Sequence, residues 1–113
     1  MTEQEFKAIV DAINIPHTYM FYPEKKAPEL PYFVWYFSES DNFGADDEVY
    51  AEILVPVIEL YTQTKSFTDE TAVESVLTEN GFFWNKSSTY IDSEKMLMTT
   101  YEIGEICKNG EQN

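Results

Sequence analysis

Six consecutive residues, Tyr32 to Phe37 (YFVWYF), are aromatic or aliphatic with no polar interruption. Successive side chains of a strand point to opposite faces, so a run without alternation must be covered on both. This predicts a central strand with a helix over one face and a partner or second layer over the other. Val49 to Thr62 also reads as strand, and its fourteen residues would span roughly 46 Å at about 3.3 Å per residue. A domain of about 100 residues has a radius of gyration near 13 Å, so such a strand would overhang its own core. Pro56 marks a bulge or a change of pairing partner, because proline cannot donate to a ladder. Between the two strands lies an acidic loop, Ser38 to Glu48. The expected arrangement is a long β-hairpin that projects from the body, with this loop at its tip.

The rest of the chain punctuates clearly. Thr2 and Glu5 have capping-box spacing, and Phe6, Ile9, Val10 and Ile13 recur at helical intervals, which predicts an amphipathic helix stopped by Asn14 and Pro16. HTYMFY is β-prone, and Pro23, Pro28 and Pro31 place a turn or edge crossing between it and YFVWYF. A second helix is capped by Thr68 or Asp69, carries Ala72, Val73, Val76 and Leu77 on its apolar side, and stops at Asn80-Gly81. FFWNKSSTYID and KMLMTTYEIGEI add two strands, the last alternating as Leu97, Thr99, Tyr101 and Ile103. The expected class is α+β, in the order α-β-β-β-α-β-β, with a mostly antiparallel sheet and two helices packed on it. One domain is expected over residues 1–107, followed by a flexible C-terminal tail at 108–113.

Charge narrows the function classes. Seven lysines stand against 21 acids, for a net charge of −14, and there is no arginine. Nucleic-acid binders neutralise phosphates with Lys and Arg, so the composition argues against DNA or RNA binding. Solubility accounts for most of the acids, and a basic partner surface or a lumen past which DNA slides accounts for a sharper subset. Eight Phe, eight Tyr and two Trp supply a real core and argue against disorder. No run reaches the ~18 apolar residues of a membrane span, and MTEQEFKAIV carries acids where a signal peptide carries positive charge. A cytosolic chain is expected, in which the sequon Asn85-Lys86-Ser87 stays unmodified. One cysteine, Cys107, rules out an internal disulfide.

Motifs for chemistry are missing from the sequence. His17 is the only histidine, and with Cys107 it makes no familiar zinc pattern. Aligning Gly44 with the glycine of a calcium-binding EF-hand loop puts Phe43 at a ligand position and Tyr50 where a bidentate Glu is required, so that pattern fails. The four glycines are scattered and form no phosphate-cradling loop. Trp35, Tyr36, Phe82, Phe83 and Trp84 would suit a ligand groove, but core packing explains most of them. Phe43, between Asn42 and Gly44 in a polar loop, either tucks back onto the hairpin or anchors in a neighbour's pocket. No enzymatic activity, cofactor or metal is expected.

In this order and spacing, YPEKKAPELPYFVWYF, NFGADDEVY, VIELYT, FFWNKSSTYIDSEKM and a last strand through YEI form a pattern. It resembles the small tail-completion or tail-terminator (head–tail joining) proteins of long-tailed bacteriophages and prophages of Gram-positive bacteria, over roughly residues 4–103. The resemblance implies a structural subunit that closes into a homo-oligomeric ring, typically hexameric, on the tail tube. Its implied partners are the tail-tube protein and the head connector or stopper protein. Its implied location is the host cytoplasm during assembly and the tail or neck of the mature virion. Within it, Asp41, Asn42, Phe43, Asp46, Asp47, Glu48 and Tyr50 would form the subunit or tube interface. A competing expectation from another class is an acidic inhibitor that mimics DNA and binds a basic host protein.

Overall fold

The computed structural model describes residues 2–38 and 55–105. The sequence-derived interface residues Asp41, Asn42, Phe43, Asp46, Asp47, Glu48 and Tyr50 lie outside the described residues. So do residues 49–54 of the long strand and the tail at 108–113.

Helix α1 (Glu3–Val10) begins at its capping box: Thr2 Oγ1 accepts from the Glu5 N–H at 3.1 Å, and the Glu5 carboxylate accepts from the Thr2 N–H at 2.8 Å. It ends at Val10, before the apolar stripe does. Ile13 nevertheless reaches the core, because its N–H donates to the Val10 carbonyl in a tight turn. Strand β1 (His17–Tyr19) keeps only three residues of the β-prone run and pairs in parallel with β2 (Tyr32–Ser38). Strand β3 (Val55–Thr62) is antiparallel to β2 along its full described length. Helix α2 (Phe67–Glu79) is capped by Ser66, not by Thr68 or Asp69, and Gly81 follows it at φ 82°. Strands β4 (Phe82–Ile91) and β5 (Met96–Glu105) form an antiparallel hairpin.

The five strands make one mixed, mostly antiparallel sheet in the order β1-β2-β3-β5-β4. The class is therefore α+β. Pro56 leaves a signature in the ladder. Pairing with β2 runs through Pro56 to Val55, whereas pairing with β5 begins only at Val57. A residue without an N–H is tolerated where one flank of the strand is free of ladder bonds.

Both helices lie on the same face of the sheet. Phe6, Val10, Val73 and Leu77 are fully buried against Phe33, Trp35, Ile58, Leu60 and Tyr101. Phe6 is the hub, with ring centroids 5.7 Å from Trp35, 5.9 Å from Phe37 and 6.0 Å from Phe82. Burying each such side chain contributes about 1.5–3 kcal/mol. This face holds the core.

Candidate functional site

The register fixes what the opposite face carries. Tyr32, Tyr61, Met98 and Thr89 stand in one row across β2, β3, β5 and β4. The next rows are Val34, Glu59, Thr100 and Ser87, then Tyr36, Val57, Glu102 and Asn85. No described helix covers these rows. Part of the cover comes from the segment that follows β1, whose residues from Met20 to Ala27 overlie Tyr32, Val34 and Tyr61. At the end of the sheet marked by Ser38 and Val55, Phe83 is half exposed and its ring occupies the space beside Gly104. A Cβ on Gly104 would sit 2.6 Å from Phe83 Cζ, so the glycine makes room for the aromatic.

Glu59 is the one charged side chain in the middle of β3, and two phenols hold it. Tyr36 donates to Oε2 and Tyr61 donates to Oε1, both at 2.7 Å. Tyr61 lies 5.2 Å from Tyr32 between ring centroids, and Tyr32 meets Tyr22 edge-on at 5.3 Å. Beside them opens a pocket of about 400 Å³ between the Met20–Ala27 segment and the sheet, reaching Ile91, Glu94 and Met96 on the β4–β5 hairpin. Burial, followed by the hydrogen bond to Glu59, pushes the Tyr36 phenol up to about 12 and raises Tyr61 as well. Burial is also the main cause of the rise at Tyr22 and Tyr32.

The sign of the linkage follows from these raised phenols. Their folded-state values lie above the ordinary 10.0, so their contribution is complete below pH 10 and fades as pH rises through the folded values. In an alkaline titration followed by phenolate absorbance and circular dichroism, Tyr36 and Tyr61 are expected to ionise only together with unfolding. Phenolate formation by all eight tyrosines near pH 10, with the fold intact, would contradict this.

A second polar cluster lies under α2. Lys86 on β4 donates to Glu70 Oε1 at 2.9 Å and to Glu74 Oε2 at 2.7 Å, and Tyr101 on β5 donates to the same Glu74 oxygen at 2.8 Å. Lys65 donates to Glu70 Oε1 at 3.1 Å and lies 3.0 Å from Oε2, which gains charge contact but no aligned hydrogen bond. Burial pushes the Glu70 carboxyl up, but Lys86 and Lys65 together outweigh it and hold the group below the usual carboxylate range. Each charge here has a partner, and the cluster stitches helix to sheet. Its arrangement is that of a structural tie.

The residues singled out from sequence separate in the structure. Trp35 and Phe82 are core, Trp84 packs at its margin, Phe83 is exposed, and Tyr36 faces the Glu59 cluster. His17 is held structurally: its ring stacks on Phe33 at 4.5 Å, and its nitrogens lie 2.7 Å from the Ile15 carbonyl and 2.8 Å from Asp11 Oδ1. The His17 hydrogen bond, then that of Lys7, holds the Asp11 carboxyl below its ordinary value. Cys107 lies outside the described residues. Among the described residues, no three His, Cys, Asp or Glu side chains gather to hold a metal, and no helix is long and apolar enough to cross a membrane. Sequence reading missed the role of Glu59 and Tyr61. The signal was the alternation Val57, Glu59, Tyr61, which places a lone acid and a phenol on the face away from Ile58 and Leu60.

Compared with known families and curated proteins, the chain matches no family model and no curated sequence.

Proposed function

We propose that this chain is a non-enzymatic subunit of phage morphogenesis, a tail terminator or head–tail joining protein that closes into a ring on the tail tube and contacts the head connector. The observation that carries this reading is the sheet face opposite the helices. It presents Tyr32, Tyr36, Tyr61 and Met98, all half-buried, and the exposed Phe83 around the buried Val34 and Val57, with no described helix over them, beside the strand ends at Ser38 and Val55. A face of mixed aromatic and aliphatic side chains is the kind that subunits bury against one another. The order and spacing of the chain's aromatic motifs support the reading from the sequence side.

In this account the acidic segment holding Asp41, Asn42, Phe43, Asp46, Asp47, Glu48 and Tyr50 reaches the neighbouring subunit or the tube, as a long projecting hairpin. The net charge of −14 suits a ring whose lumen passes DNA without retaining it. The same charge, with no arginine, is the feature that favours the second reading, an acidic inhibitor that mimics DNA.

Tail-tube polymerisation with and without this protein tests the choice. A terminator arrests growth and narrows the distribution of tube lengths seen by electron microscopy. Unchanged lengths, together with salt-sensitive binding to a basic host protein, would favour the inhibitor.

A further inference from the structure

The pocket beside Glu59 has walls of a particular chemistry. Tyr22, Tyr32 and Tyr61 present aromatic surface to it, and Glu59 and Glu94 supply carboxylates. The raised phenols keep their protons, so the rings offer neutral π faces. Glu59 accepts one phenol hydrogen bond on each oxygen, and a carboxylate has about four acceptor positions, which leaves capacity for two more donors. Lys25 is the one cation on the wall, opposed by Glu24, Glu59 and Glu94, and it makes no ion pair or cation–π contact among the described residues.

The backbone around this pocket is held in an unusual form. Met20 at φ 73° and Lys25 at φ 65° stand on its wall, and Lys95 at φ 55° separates Glu94 from Met96, which also line it. These are the only non-glycine residues with positive φ among the described residues. Left-handed backbone at side-chain-bearing residues persists where the surroundings fix it, often at binding sites.

Aromatic faces next to carboxylates select an organic cation, which gains cation–π attraction and charge-assisted hydrogen bonds together. The geometry points to a receptor for a lysine or arginine side chain presented by a partner protein. Charge complementarity favours this occupant, because a chain of net charge −14 draws basic surfaces towards it. An extended side chain seated between the Met20–Ala27 segment and the sheet brings its head group to Glu59. The pocket shares Tyr32, Val34 and Tyr61 with the face assigned above to subunit contacts, so it is probed with small molecules on the dilute monomer, where its failure and the failure of the assembly reading are separate results.

Nuclear magnetic resonance of the full chain tests it, with n-butylammonium and n-butylguanidinium as side-chain probes and N-butylacetamide as the neutral control. The expected result is saturable shifts at Met20, Tyr22, Tyr32, Tyr61 and Met96 with both cations and none with the amide. Glu59→Gln is expected to weaken binding about fivefold, and so is Glu94→Gln in the exposed turn, where folding is not at risk. Equal shifts with the neutral amide, or no saturable shifts at all, would overturn the proposal. Tetramethylammonium binding as tightly as n-butylammonium would replace the protein side chain by a small quaternary cation. The same resonances moving on protein dilution but not with either cation would make the pocket part of a subunit contact and overturn the proposal.

Discussion

Phe6→Ala is expected to remove about 4 kcal/mol of folding stability, enough to lower the melting temperature by roughly 15 °C in a domain of this size. Phe6 has no exposed surface, and it joins α1 to Trp35 and Phe37 on β2 and to Phe82 on β4. These contacts come from the second and the last strands of the sheet order, so the cavity left by alanine cannot close by moving one element. Phe6→Leu retains most of the volume and is expected to lose roughly half as much. Urea unfolding of both variants measures the difference. A loss below about 1 kcal/mol for the alanine variant would mean that α1 is not packed as described.

Lys86→Met is the second large effect. It keeps the aliphatic stem but leaves Glu70, 2% exposed, with Lys65 as its only cation among the described residues. Removing one partner of a buried pair typically costs 3–5 kcal/mol; Lys86 is one-third exposed and Lys65 remains, so about 2 kcal/mol is expected. Adding Glu70→Gln removes the stranded charge and should restore part of the loss, a coupling that a double-mutant cycle reads directly.

The pH dependence of this pair follows from the direction of the Glu70 shift. Its folded-state value lies below the ordinary 4.5, so its contribution is complete above about pH 4.5 and is lost as pH falls through the lowered value. Glu70→Gln should therefore weaken the protein at neutral pH and narrow its distance from the parent in acid. A constant difference from neutral to acid pH would assign the loss to packing alone.

Local signals were the most legible part of the fold. The Thr2–Glu5 capping box places the start of α1, and the alternation Leu97, Thr99, Tyr101, Ile103 marks the core-facing side of β5, with Thr99 and Tyr101 fully buried. What the sequence concealed depends on contacts distant along the chain. Glu74 meets Tyr101 across 27 residues and Glu70 meets Lys86 across 16, and no spacing rule picks these acids from 21. The stop of α1 was misplaced because Ile13 continues the apolar period through a turn, so burial outlasts the helix. Strand β1 pairs with β2 in parallel at an offset of sixteen positions, beyond any hairpin rule: His17 pairs with Phe33 and Tyr19 with Trp35. At the candidate site, the apolar run Tyr32 to Phe37 announced a strand with two covered faces. The convergence of Tyr36 and Tyr61 on Glu59 needed the register of β2 against β3.

The central claim is that this chain works by assembling, and its most direct test is molar mass across protein concentration. Light scattering after size exclusion would be run on the protein alone and then with purified tail-tube protein. The account predicts a ring at high concentration, or a monomer that assembles on tube ends. A monomer at every concentration, indifferent to tube protein, would contradict it.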